Sequence, residues 1–230
     1  MSLFDDGRPF LSALSAEDRR ALLALGTPRT YQASDVVLRE HDATSFVVAI
    51  TAGWTTVSVE TERGVRLILA LRGPGEVVGD QAAVDRRPRS ATVTALGPVR
   101  AVVVGGDRFR AYLAARPAAT VLIMRQFSSR LRSSDGERRA LASERVLQRL
   151  SARLVELAER TGRPQGGGAG IAVDLPLPQH DIAAAVGSTR EAVAKALRLL
   201  RAQGAVQTSS RRYVVMDLDL LRLLAEGRAA

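Results

Sequence analysis

Between Pro178 and Leu200 a single glycine separates two apolar stripes, and this arrangement constrains the fold more than any other feature of the chain. Ile182, Ala183 and Val186 fall on one side of a helix that starts after Pro178. Val193, Ala196, Leu197 and Leu200 fall on one side of a second, again at helical spacing. Gly187 supplies the positive φ that stops the first helix, and Ser188 or Thr189 can cap the second. Two short amphipathic helices around so tight a turn form a helix-turn-helix.

The second of these helices opens Thr189-Arg190-Glu191, and Lys195 follows one turn later. A helix that enters the major groove does so with its N-terminal residues. Downstream, Ala205-Val206-Gln207 and Tyr213-Val214-Val215 flank Thr208-Ser-Ser-Arg-Arg212, which predicts a hairpin tipped with Arg211 and Arg212. Such a wing can touch phosphates. Residues 217–226 predict a small closing helix. Charge agrees with a polyanionic partner at this end: residues 1–115 hold 14 basic and 13 acidic side chains, and residues 116–230 hold 19 and 11.

Upstream the pattern differs. Residues 12–25 predict a short helix. From about residue 30 to 105 short β-branched runs alternate with turn residues: Val36–Leu38, Phe46–Ile50, Thr55–Val59, Val65–Leu71, Ser90–Thr94 and Val99–Val104. Strands at this spacing suggest a small sandwich or barrel. Trp54 and Phe46 read as core residues of that domain, and His41 as a turn residue. From Pro117 to about Leu141 the chain predicts one long helix. Thr120, Met124, Phe127, Leu131, Ser134, Arg138 and Leu141 recur in steps of four and three, a seam suited to pairing with another helix. The other reading is a helix packed on its own domain. A second helix follows from about Glu144 to Arg160. Residues 161–170, rich in glycine, read as a flexible loop, and a short strand from Ile171 to Leu175 leads into the helix-turn-helix.

Several classes of chemistry are excluded or disfavoured. The chain has no cysteine, so disulfides, thiol redox sensing and cysteine-ligated iron–sulfur clusters are out. His41 and His180 are the only histidines, which argues against a metal centre or haem. No nucleophile–base set or paired carboxylates suggest an enzyme. No apolar run is long enough for a membrane span, and the N-terminus lacks a secretory pattern, so a cytoplasmic location is expected. Lys195 is the only lysine among 33 basic residues.

A β-rich domain, a pairing helix and a winged helix-turn-helix, in that order, resemble the CRP/FNR family of bacterial transcription regulators. Two motifs carry the resemblance: Gly73-Pro-Gly-Glu-Val-Val-Gly-Asp80, nine residues before Arg89-Ser-Ala-Thr-Val-Thr-Ala95, and Gly187-Ser-Thr-Arg-Glu-Ala-Val-Ala-Lys195. The resemblance implies an α+β chain in three parts: a β-roll or jelly-roll cyclic-nucleotide-binding domain over residues 1–115, a dimerisation helix over 116–142, and a winged helix-turn-helix over 143–230. It places a cyclic phosphate on Arg89 and Ser90, with Gly79, Asp80 and Gln81 beside it. An arginine offers a forked, permanently charged donor for that anion. Asp80 would accept from a ribose hydroxyl, where the family's cyclic-AMP binders usually carry glutamate. Ser134 and Asp135 would face the base, where the family carries a Thr-Ser pair.

Three states of the pocket follow: cyclic AMP, another small anionic ligand, or no ligand with Arg89 and Asp80 closed on each other as an ion pair. On the DNA side the resemblance assigns Ser188, Thr189, Arg190, Glu191, Lys195, Arg211 and Arg212 to the interface. Arg190 would read guanine, Glu191 a cytosine amino group, and Lys195 would replace the family's usual arginine. The expected target is double-stranded DNA with a palindrome of half-sites close to TGTGA, bound by a homodimer, with RNA polymerase as a further partner. A winged domain that binds protein instead of DNA is the competing expectation.

Overall fold

The computed structural model describes every residue except 1, 6, 166–169, 210–211 and 229–230. By its contacts the chain forms two compact units, one of residues 4–133 and one of residues 1–3 with 134–230. The first carries α1 (Phe10–Ala13), α2 (Ala16–Ala24), β1 (Thr27–Tyr31), β2 (Val36–Leu38), β3 (Val47–Ala52), β4 (Thr55–Glu60), β5 (Arg66–Arg72) and β6 (Val77–Val78). It continues through α3 (Asp80–Asp85), β7 (Thr92–Ala95), β8 (Val99–Val104), α4 (Gly106–Ala114) and most of α5 (Pro117–Ser143).

Two antiparallel four-stranded sheets, in the orders β1-β8-β3-β6 and β2-β7-β4-β5, form the body of this unit. Their short β-branched strands bury alternate residues: Val48, Ile50, Val93, Val99 and Ala101 make one core cluster. A second cluster joins the outer face of β3 and β8 to the helices, through Val47, Val104, Leu22, Phe109 and Ile123. Burying a side chain the size of Phe109, which has no exposed surface, contributes on the order of 2–3 kcal/mol. The expected helix over 12–25 is two helices, because Ser15 caps a new start by accepting from the Asp18 amide. Gly105 and Gly106, directly after the last β-branched run, open α4 as its N-cap and first residue.

The second unit holds the end of α5, then α6 (Val146–Thr161), β9 (Gly162–Pro164), β10 (Ile171–Val173), α7 (Gln179–Val186) and α8 (Arg190–Ala202). It closes with β11 (Val206–Ser209), β12 (Arg212–Val215) and α9 (Leu218–Ala225). The strands form one antiparallel sheet, β11-β12-β10-β9. Part of the expected loop over 161–170 is strand β9, which pairs with β10 from Gly162 to Pro164. Leu150, Leu154 and Leu157 recur at helical spacing on α6 and are fully buried with Ile182, Val186, Val193 and Leu200.

Two buried arginines of α6 finish this core. Arg149 donates to the carbonyls of Glu144, Val186 and Gly187. Arg153 donates to the carbonyl of Ala185 and to the carboxylates of Glu137 and Glu156. Both therefore satisfy carbonyls at the end of α7 that the helix leaves unpaired. Gly187 follows at φ +64°, and a Cβ there would meet Leu141 at 2.9 Å. The turn thus needs glycine twice over, for its backbone angle and for the close approach.

Candidate anion site and nucleic-acid interface

In the first unit, Arg89 lies between β3 and α3 and is 3% exposed. Its backbone is fixed by the turn at His41: the His41 amide donates to the Arg89 carbonyl, and the Arg89 amide to the Asp42 carbonyl, each at 2.9 Å. His41 is exposed and takes φ +69°, as a turn residue in the left-handed region. The Arg89 guanidinium donates to Thr44 Oγ1 (3.0 Å), the Gly79 carbonyl (2.9 Å) and the Phe46 carbonyl (2.6 Å). It also lies 4.8 Å from the Phe46 ring centroid. Phe46 packs against the β core as expected, but it is equally a wall for Arg89. Trp54 is half-buried and meets Phe4 edge-on.

All of these Arg89 partners are neutral. Burial, above all, pushes the guanidinium's pKa down, and Asp42 and Asp80 act on it in the opposite sense from a distance. A desolvated cation ringed by neutral oxygens has room in its energetics for an anion. Gly79 allows the approach: it takes φ +78°, and a Cβ there would stand 2.5 Å from Arg89 Nη1. Ser90 is exposed beside it and donates to Gln81 Oε1 at 2.8 Å.

Arg89 and Asp80 do not close on each other. Asp80, with its side chain 2% exposed, is held by Arg130 of α5, whose Nη1 lies 3.0 and 2.9 Å from the two carboxylate oxygens. Arg130 Nε donates to Asp5 at 3.1 Å, and Asp5 also accepts from Arg72 Nη2 at 2.6 Å and from Gln126 at 3.1 Å. Asp80 and Asp5 hold the Arg130 pKa well above its ordinary value despite burial. Glu76, beside Arg72, is pushed upward by desolvation in the same cluster. Ser134 and Asp135 belong to the other unit; both are exposed, and Asp135 pairs with Arg138 at 3.3 Å.

The seam of α5 also differs from its expected composition. Met124 and Leu131 are each 63% exposed and Leu141 is 47% exposed. Phe127 instead turns inward onto the core of the first unit, and Thr120 donates to the Leu113 carbonyl. Val121 takes the place of Thr120 on the outward stripe.

In the second unit, Thr189 is the residue that caps α8, accepting from the Ala192 amide at 3.2 Å. Arg190, Glu191 and Lys195 are exposed on the first turns, while Val193, Ala196 and Leu197 face the core. Ser188 lies in the turn and is half-buried. The Glu191 carboxyl is held below the ordinary carboxylate range by its own backbone amide first, then by the Thr189 hydroxyl. It is thus an ionised acceptor at neutral pH. Arg212 begins β12 and is exposed; Arg211 lies outside the described residues. With Arg163, Gln207 and Thr208, Arg212 lines a concavity of about 490 Å³ on the wing sheet.

Arg130, Asp5, Thr44 and the Phe46 carbonyl are the site members that sequence reading missed. Only Arg130 left a trace, as an arginine one turn before Ser134 on the long helix. Among the described residues no group of His, Cys, Asp and Glu could hold a metal ion, and no helix is long and apolar enough to cross a membrane.

Two family models match the chain. Residues 28–116 match the cyclic nucleotide-binding domain, and residues 148–224 match the Crp-like helix-turn-helix domain. The chain is 27% identical over 194 residues to the CRP-like cAMP-activated global transcriptional regulator of Mycobacterium tuberculosis, covering 84% of this chain and 86% of that one. It is 24% identical over 223 residues to the cyclic AMP receptor protein of Thermus thermophilus, covering 97% and 99%. Its fold is similar to that of the c-di-GMP responsive global regulator CLP of Xanthomonas campestris, with a TM-score of 0.78 at 20% identity over 88% of this chain and all of that one. A nucleotide-binding domain followed by a Crp-like reader accounts for both halves of the structure, and the chain belongs to the CRP/FNR family of transcription regulators.

Proposed function

We propose that the protein is a homodimeric, sequence-specific DNA-binding regulator gated by a cyclic nucleotide, cyclic AMP first among the candidates. One observation carries the ligand: Arg89 is buried against neutral oxygens and has no carboxylate partner among the described residues. A cyclic phosphate would give that guanidinium its counter-ion, with the exposed Ser90 hydroxyl as a further donor. Asp80 would accept from the ribose, and Ser134 and Asp135 would meet the base. Gly79 and Gln81 complete the ligand group. The named ligands of the relatives support the choice of a nucleotide, and cyclic AMP is named in two of the three.

For DNA, the exposed Arg190, Glu191 and Lys195 on a capped helix support major-groove reading of half-sites close to TGTGA, with Arg212 and Arg211 at phosphates. The exposed Met124 and Leu131 support pairing through α5. A two-fold dimer would then offer two recognition helices to a palindrome. RNA polymerase is the partner through which such a regulator would act, and the cytoplasm is where it would do so.

Calorimetric titration with cyclic AMP, with cyclic GMP as control, tests the gate. The expected result is saturable binding near one ligand per subunit, abolished in Arg89→Ala. Heat that survives in Arg89→Ala would place the ligand elsewhere.

A second reading has its own support. Asp80 is already engaged by Arg130, and each Arg89 nitrogen already has an acceptor. A site whose two charged groups are already engaged suits a regulator that binds DNA without a ligand. Absence of heat with any cyclic nucleotide, alongside intact DNA binding, would select it.

A further inference from the structure

Arg130 is pinned by all three of its nitrogens. Nε donates to Asp5, Nη1 to both oxygens of Asp80, and Nη2 to the Val77 carbonyl at 3.4 Å. The consequence lies in how Asp80 is met. An arginine facing a carboxylate freely presents two nitrogens, fork to fork, and fills the acceptor positions on that side. Here only one nitrogen reaches Asp80: Nη2 turns to the Val77 carbonyl, and Asp5 holds Nε so that the Nε/Nη2 edge cannot swing onto Asp80. Two carboxylate oxygens offer about four acceptor positions, so Asp80 keeps lone pairs for another donor.

We propose that Asp5 is a positioning residue for ligand recognition: it restrains Arg130 so that Asp80 stays available to a ligand hydroxyl. The inference rests on reading the Arg89 cluster as a cyclic-nucleotide site, since Asp80 directly follows the Gly79 whose carbonyl Arg89 holds. Asp5 is suited to the task by its other contacts. Its Oδ1 takes Arg72 Nη2 at 2.6 Å, and Gln126, one turn before Arg130 on α5, shares its Oδ2. It is the shared counter-ion of two arginines that would otherwise repel. With the Asp5 charge removed, Arg130 loses its Nε anchor, and its fork turns onto Asp80 and consumes the acceptor.

The test uses the full chain and two ligands, cyclic AMP and 2′-deoxy-cyclic AMP, which lacks the hydroxyl. Calorimetry should show the wild type preferring cyclic AMP by about tenfold, the scale of one buried hydrogen bond. In Asp5→Asn, cyclic AMP should weaken by about tenfold while the deoxy ligand changes little, so the preference disappears. Asp5→Glu, which keeps the charge, should restore it. Thermal melts of each variant verify folding. A preference that survives in Asp5→Asn overturns the proposal, as does an equal loss for both ligands, which would mean a purely structural Asp5. A wild type that binds neither ligand overturns the site reading itself, and the proposal with it.

Discussion

Tyr213, buried on β12 of the second unit, has its phenol raised from the ordinary 10.0 to about 12, by burial first and by Asp181 second. The folded chain therefore keeps a proton that the unfolded chain releases. Its contribution to stability is complete below pH 10.0 and declines as pH rises towards about 12. Urea denaturation at about pH 9 and about pH 11 should show a larger loss for the wild type than for Tyr213→Phe. Equal losses would mean that Tyr213 is not desolvated as described. At this same scale the site was half legible. Arg89 and Ser90 are legible through the motif from Gly73 to Ala95 that carries the family resemblance. Arg130 does not, because it meets Asp80 across 50 residues of sequence and is one arginine in a chain whose basic residues are arginine but for Lys195. Asp5 gave no signal at all, since a carboxylate near an N-terminus is ordinarily a solvated one.

Elements with strong periodicity could be read directly. α5, α6, α7 and α8 follow 3.6-residue apolar patterns, and the strands from β2 to β8 are β-branched runs between turns, save β6. β1 escaped because Thr27-Pro-Arg-Thr-Tyr31 has no apolar alternation; four of its five residues are exposed, and pairing with β8 holds it in place. α3 escaped because six residues make little pattern. The α5 seam was legible in period but not in phase: Phe127 buries inward while Val121, Met124 and Leu131 face out. An apolar stripe left in water costs free energy that a second copy would recover. Met124→Asp combined with Leu131→Asp should convert a dimer to a monomer in light scattering without unfolding, because both side chains are largely exposed within the single chain. A dimer that persists would move the interface off this stripe.

For the whole molecule, net charge is +1 over residues 1–115 and +8 over residues 116–230, of a total of +9. Where those basic side chains neutralise phosphates, DNA affinity should fall steeply with salt. Base reading and phosphate binding should nevertheless separate. Fluorescence anisotropy with a TGTGA palindrome and a scrambled duplex should show Arg190→Ala losing about 1–3 kcal/mol of discrimination. Its salt slope should stay close to that of the wild type, since a base contact releases few counter-ions. Retained sequence preference would show that Arg190 reads no base. The order of β domain, long helix and winged reader was visible in the sequence because composition and periodicity change at each junction. How the end of α5 joins the reader was not, because the joint is made by contacts far apart in sequence: Leu141 against Gly187, and one buried guanidinium. Arg153 grips Glu137 on α5 and the Ala185 carbonyl on α7 at the same time. The last turns of the long helix are therefore a built-in part of the reading head and not a stalk beneath it. A protease that nicks the corner at Glu144–Arg145 would leave two pieces still clasped through Arg153 on Glu137 and through Leu141 against Gly187.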